Sequence, residues 1–497
     1  VTLFEGLVAL GHWGQQHPRL IWGTLAGGFL LGGGLRLVTG GHRRRRTMHG
    51  SARWATYGEV KRSGLSRTHG VVVGEMQMQT FYDNGAKHVF LCGPTRSTKG
   101  VCHIQPTLRT GWRQSALILD PKRGENYDLT HEARRQGGRV EAFTPYQLPQ
   151  ARLNVMDTIR LKTLDEHGDA LTIAQSLVAP YKMIAENATS LHFRELASLL
   201  LTAALLHVSY TAPRRSLAAV WHFLTQQHRT LGECLKTMRT TPQTPHGVHP
   251  TIAQFTAAIQ NITGDRELSS VWSTVVRPLS LYADPLIAAS TDTSTLALGD
   301  LQHGTEPLSL YLLAPSPRAL ERLHPVYRVI VDVAMARLTD RPVSASARRL
   351  LVCAEELPAY GYMHSLNKGA SDMAGYGIKG FYVVQDLDQF EDVYGKQNSI
   401  WGNTETKIFH APDNERTAER VSRYILGAAT VENPVASRQG FLRDGSVSYQ
   451  HVERPLLTTD EVQALDPAQM IVRRTGAKPM LLYKVGYDPK KRKEAAA

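Results

Sequence analysis

A chain of 497 residues has room for roughly two or three cores, and 42% hydrophobic with 20% charged residues excludes a disordered polymer. Its 57 Lys+Arg against 44 Asp+Glu give a formal net charge of +13, which favours an anionic partner, either nucleic acid or a membrane surface. The four cysteines, Cys92, Cys102, Cys234 and Cys353, form no C-x-x-C pair; they read as reduced thiols with no disulfide framework and no zinc site, which favours a cytoplasmic location for the bulk of the chain.

In chain order the first feature is LIWGTLAGGFLLGGGLRLV, residues 20–38, free of charge until Arg36. It is long enough to cross a hydrocarbon core of about 30 Å, and Arg36 can snorkel to the interface. Arg43 to Arg46 follow at once and mark that side as cytoplasmic and lipid-facing. The preceding VTLFEGLVALGHW is apolar but short, the remnant of a first span. Residues 1–48 therefore read as a single- or double-pass anchor in a lipid bilayer.

From His49 the text is that of a soluble protein. KHVFLC, ending at Cys92, and SALILD (115–120) are apolar runs bounded by turn residues, expected as buried parallel strands with a helix between them. Residues 158–294 change to helical spacing in ALTIAQSLVAP, LHFRELASLLLTAALLHVSY and SLAAVWHFLTQQ, an all-α insertion. Strand text returns in LSLYLLAP (308–315), RRLLVCAEE (348–356) and GFYVVQD (380–386), with a helix, PVYRVIVDVAMARLTD, between the first two. The expectation is an α/β domain, residues 49–157 and 295–488, split by the helical insertion. Residues 489–497, which contain KKRK, form a basic flexible tail.

Three patterns carry chemistry. GPTRSTKGV (93–101) lies between the first strand and its helix, with Gly93 to open a curl and Lys99 to reach phosphates. It departs from G-x-x-x-x-G-K-[ST] twice, with Thr98 for glycine and Gly100 for Ser or Thr. A hydrophobic strand ends in Glu355 and Glu356, a pairing suited to a magnesium nucleotide site: one acid for the metal shell, the next to polarise water. Gln385 leaves a further strand where it could sense a terminal phosphate.

HGSARWATYGEV (49–60), GPTRSTKGV, LDPKRGENYDLT (119–130), AEELPAYG (354–361), AGYGIKGFYVVQDLDQFEDVYG (374–395), APDNERTAERVSRYILGAATV (411–431) and RPLLTTDEVQAL (454–465) together resemble the signature blocks of type IV coupling proteins, in the TraG-like branch of conjugation systems. The resemblance covers residues 49–487 in family order. It implies an inner-membrane P-loop ATPase with a RecA-like domain and an all-α insertion, assembled as a homohexamer. Such a protein links a relaxase–DNA complex, or secreted effectors, to a type IV secretion channel, and handles single- or double-stranded DNA. It also implies site roles. Gly93, Pro94, Thr95, Arg96, Ser97, Thr98, Lys99 and Gly100 would bind ATP, with Lys99 on the β and γ phosphates. Glu355 would hold Mg²⁺, through water if its longer arm requires it, Glu356 would be the catalytic acid and Gln385 the sensor. Asp120, Lys122 and Glu125 match a block after the second strand, and Arg123 looks inserted there. Lys-Gly after the loop is usual in the family, so the metal leans on the acids.

Thr98 is the departure that matters. Loop glycines at this place take positive φ, where a β-branched residue costs about 1–3 kcal/mol. Either the loop follows another path or nucleotide binds weakly. A non-hydrolysing docking scaffold is therefore the alternative to a motor. A chromosome-segregation pump with the same core fits the short anchor and large insertion less well. No arginine finger is evident: residues 366–380 offer Lys368 and Lys379, and Arg328 and Arg416 are the remaining candidates. Cys102 and His103 read as helix residues facing the sheet, and Trp221 and Phe223 as core rather than base-stacking platforms.

Overall fold

The structure, a computed structural model, describes residues 51–146, 151–183, 188–226, 229–262, 264–342, 347–436 and 447–486. The span expected at 20–38, the arginines 43–46 and the tail 489–497 lie outside the described residues. The chain divides into two compact units, one containing Arg420–Thr458 with the chain up to Arg53, the other Trp54–Glu419 with the chain from Thr459.

The larger unit is built on one eleven-stranded sheet. Its strands are β1 (Val71–Met76), β2 (Gln79–Asp83), β3 (His88–Cys92), β4 (Ser115–Asp120), β5 (Arg139–Phe143), β6 (Leu308–Leu313), β7 (Leu350–Ala354), β8 (Ile378–Val384) and β9 (Thr404–Phe409). After the smaller unit's hairpin, β10 (Ala428–Ala436) and β11 (Val447–Pro455), come β12 (Gln469–Arg474) and β13 (Met480–Tyr483). The order is β2-β1-β13-β12-β9-β3-β8-β7-β4-β6-β5. From β9 to β5 the pairing is parallel, and from β9 out to β2 it is antiparallel. β3, β4, β7 and β8 are buried along their whole length, which is why they read as largely apolar runs. Sequence reading found these and β6. It missed β1, β2, β5, β9, β12 and β13, whose polar or half-exposed positions dilute the apolar signal.

Between β5 and β6 the described chain is mainly helical. The helix Ala188–Thr211 is its longest element among the described residues, and the segment Thr189–Thr211 is long and apolar enough to cross a membrane. Most of that segment is buried, so it serves as a core helix here. Its neighbours start with designed stops: Thr230 and Glu233 form a reciprocal capping box, and Ser216 and Asp284 cap the helices Leu217–Thr225 and Pro285–Ser290. The helix Pro317–Thr339 after β6 is tied to Glu166–Val178 by Ser176, which donates to Asp332 at 2.6 Å.

A buried ionic cluster joins the antiparallel strands to the parallel core. Asp83 accepts from Lys379 at 3.0 Å through one oxygen, and from Arg474 at 2.8 Å and Thr406 at 2.5 Å through the other. Burial alone would raise the Asp83 pKa; Lys379, Thr406 and Arg474 together hold it below the usual carboxylate value. Such a cluster fixes the register of β2, β8, β9 and β12 more than it adds net stability. All four cysteines are free and buried.

In the smaller unit β10 and β11 pair antiparallel, from Ala428 opposite Pro455 to Ala436 opposite Val447, and Ser51 bridges to Ala429.

Candidate nucleotide site

Adjacent parallel strands β9, β3, β8, β7 and β4 end at one edge of the sheet, and each delivers part of one constellation. This is the edge where open parallel sheets place ligands.

After β3 the chain turns at Gly93. A Cβ there would lie 2.9 Å from His410 Cβ and 2.9 Å from Ser97 Oγ, so only glycine fits. Arg96 and Thr98 both take the left-handed conformation, φ 60° and φ 70°. Of the two alternatives open in the sequence, the loop therefore keeps the glycine-like path with threonine in it. The Thr98 hydroxyl donates to the Ser97 carbonyl at 2.5 Å, and its carbonyl accepts from the Cys102 N–H at 2.9 Å. The strain at Thr98 is about 1–3 kcal/mol. Thr98→Gly is accordingly expected to raise stability by about 1 kcal/mol and to tighten nucleotide binding. Thermal unfolding with and without ADP checks both, and a lowered Tm would contradict the strain.

Lys99 is buried, and its ammonium donates to the carbonyls of Gly93 and, at 2.8 Å, of Pro94. Burial lowers its pKa, partly opposed by the charge of Glu356. Ser97 Oγ is buried without a hydrogen-bond partner, a donor left over beside the curl. The helix expected after the loop is present but widened. Pro106 has no N–H to give, and the ladder slips to i−5 bonds, from Gln105 to Gly100 and from Trp112 to Thr107.

β8 ends at Gln385, whose amide joins loop and acid. Its Oε1 accepts from Thr95 Oγ1 at 3.0 Å, and its Nε2 donates to Glu356 Oε2 at 2.9 Å. β7 ends in Glu355 and Glu356. Glu356 sits at φ 51°, a second strained position. Burial raises its pKa, against the hydrogen bond from Gln385 and the charge of Lys99. Glu355 is buried and fully engaged: Lys122 reaches one oxygen at 2.7 Å and Asn126 the other at 2.5 Å.

β4 ends at Asp120, which caps the helix Glu125–Arg135. It accepts from the N–H groups of Asn126 at 2.9 Å, Tyr127 at 3.1 Å and Lys122 at 3.2 Å. Burial pushes its pKa up to about 6, with the Tyr127 N–H pulling the other way. Asp120 thus aims Lys122 and Asn126 at Glu355. Asn126 was not singled out in the sequence because it carries no charge; Glu125 was, and it stays exposed. Arg123 and Gly124 make consecutive left-handed turns, φ 58° and 85°, which absorb the extra residue.

Several expected residues lie elsewhere. Arg328 is buried and donates to the carbonyls of Pro180 and Leu177 at 3.1 and 3.2 Å, so it joins helices within the chain and is not presented at the surface. Lys379 is sealed in the Asp83 cluster. Lys368 and Arg416 are exposed. Cys102 and His103 are buried, and Trp221 and Phe223 half-buried, with Phe223 4.6 Å from the His207 ring and under Arg229. Among the described residues no cluster of three His, Cys, Asp or Glu could hold a metal. Glu355 offers hard carboxylate oxygen suited to Mg²⁺; its two donors leave lone pairs for metal-bound water rather than a bare ion.

A strand–loop–helix unit with a buried lysine, acids on a nearby strand and a parallel sheet make this an α/β protein of the RecA-like P-loop class. Residues 53–495 match the family model described as type IV secretory system conjugative DNA transfer. The conjugal transfer protein TraG of Escherichia coli is 32% identical over 457 residues, 83% of this chain and 71% of that protein. VirD4 of Agrobacterium fabrum is 26% identical over 461 residues, 88% of this chain and 66% of that protein. The solved plasmid coupling protein TrwB, in complex with ADP and Mg²⁺, superposes with a TM-score of 0.66 at 16% identity, covering 88% of this chain and 93% of that one. The chain belongs to the type IV secretory system conjugative DNA transfer family, the coupling-protein family its sequence blocks resemble.

Proposed function

We propose that the chain is an inner-membrane coupling ATPase of a type IV secretion or conjugative transfer system. It recruits a relaxase–DNA complex, or effector proteins, to the channel and drives single-stranded DNA through it by ATP hydrolysis. The observation that carries this reading is the Gln385 amide, which spans from Thr95 in the loop to Glu356. Phosphate contact and the acid that handles water are thereby joined by one side chain.

ATP is the substrate, held by residues Gly93 to Gly100, with Ser97 Oγ free to donate to a phosphate oxygen. Lys99 would leave the Gly93 and Pro94 carbonyls for the β and γ phosphates. Glu356 would accept the proton of the attacking water. Lys122 and Asn126 would keep Glu355 oriented toward a water-coordinated Mg²⁺. That ion, when bound, offsets charge on the phosphates. Residues 158–294 would form the cargo-reading insertion, residues 1–48 the bilayer anchor, and six copies the working ring, with Arg416 the exposed candidate for a cation acting in trans.

The test is hydrolysis by the full chain as single-stranded DNA is added. Stimulation of about tenfold, lost steeply as salt is raised, is the expected outcome, because phosphate contacts release counterions. Robust DNA binding with no hydrolysis would instead favour the docking scaffold, a reading that the strain at Thr98 supports.

A further inference from the structure

A buried line of hydrogen bonds runs from β1 to the phosphate loop. His103 Nδ1 lies 3.0 Å from the Val72 carbonyl, His103 Nε2 lies 3.0 Å from His410 Nε2, and His410 Nδ1 lies 2.8 Å from the Ser97 carbonyl. Both rings are buried. A carbonyl only accepts, so each Nδ1 must carry a proton. Two neutral rings then have no proton left for the Nε2 contact, and two lone pairs would face each other at 3.0 Å. One additional proton turns that contact into an N–H···N hydrogen bond.

We propose that His103 and His410 share one extra proton and act as positioning residues for the loop, placing a buried positive charge behind Ser97 that is linked to phosphate binding. The proposal rests on the reading that this loop binds phosphate. The groups around the pair mostly oppose the proton. Lys484 donates to the same Ser97 carbonyl at 3.1 Å, and Lys99 lies on the loop itself. Cys102 adjoins His103 in the chain, and its thiol is raised by burial, with Lys484 lowering it and, on β1, Glu75 raising it. Burial pushes His103 to about 4 and His410 well below its ordinary value, with Lys484 acting in the same direction on both. The two Nε2 lone pairs that face each other at 3.0 Å act the other way and hold one proton on the pair at about pH 6; phosphate charge across the loop adds to that. Binding therefore takes up a proton, and affinity falls as pH rises through the pair's free and bound values.

The first test is histidine-selective ¹⁵N labelling of the full chain at about pH 6, with His103→Gln and His410→Asn to assign the pair. Every ring nitrogen of the pair should be protonated, with one strongly deshielded bridging proton that vanishes in both variants. An unprotonated Nε2 in either ring overturns the shared proton, whether or not nucleotide binds. The second test is ADP affinity against pH. The wild-type Kd should rise roughly tenfold between about pH 6 and pH 8, within the roughly hundredfold that one linked proton allows over two units. His103→Gln, whose amide N–H can meet His410 without an extra proton, should show a slope at least halved. Equal slopes overturn the linkage. Absence of ADP binding in a chain that keeps the bridging proton would refute both the linkage and the nucleotide reading, while leaving the shared proton established.

Discussion

Replacing Lys99 with alanine is expected to lower ATP hydrolysis about a hundredfold or more, the scale of losing one preorganised charge at a phosphoryl-transfer centre. The ammonium is buried and held by the Gly93 and Pro94 carbonyls, so it waits beside the loop at little reorganisation cost. Alanine also leaves those carbonyls without this donor, and some loss of stability should accompany the loss of rate. Lys99→Arg separates the two effects: it keeps a charge but not the compact head, and should recover stability without recovering rate. Hydrolysis and thermal unfolding measured on the same preparations check this. Unchanged hydrolysis in the alanine variant would remove the loop from the mechanism.

Glu356→Gln should cost about a hundred- to ten-thousandfold in hydrolysis, the usual worth of a positioned base, while leaving ADP binding nearly intact. In the proposed role the acid must be ionised to accept a proton from water. Its pKa is raised by burial, opposed by Gln385 and Lys99. Wild-type activity should therefore fall with decreasing pH at values above the ordinary glutamate range, and recover as pH rises through them. The residual activity of the glutamine variant should lack that inflection. A variant that retains wild-type hydrolysis would assign the water-handling role elsewhere. Glu355→Gln would differ in kind, since both oxygens of that carboxylate are held by Lys122 and Asn126.

The parts of this fold legible in the sequence were those under the strongest single constraint. β3, β4, β7 and β8 are covered on both faces, so their composition is mostly apolar, Lys379 of β8 being the buried charge that is paired instead. The helices between β5 and β6 carry their own periodicity and caps. The outer strands were not legible: β9 reads TETKIF because Thr404 and Thr406 are buried but hydrogen-bonded, Thr406 through Asp83. Partners brought together from distant segments leave no local pattern, and Asp83 with Lys379 and Arg474 is such a case.

The site shows the same division. Lys99, Glu355, Glu356 and Gln385 follow strands that could be found, and they converge on one edge. Asn126 and His410 were missed because an amide and a buried ring reveal their use only through contacts. The conflict at Thr98 was visible in sequence, but its resolution was not, since the φ of 70° is set by the path of the whole loop rather than by local residue type.

The central claim is that this loop works with threonine at its left-handed position. Steady-state ATP hydrolysis by the full chain, with and without single-stranded DNA, tests it most directly, with the oligomeric state recorded by light scattering in the same sample. The account predicts DNA-stimulated turnover in the assembled protein that disappears in Lys99→Ala. An assembled wild-type protein that stays silent would contradict it, whether or not Thr98→Gly restores turnover.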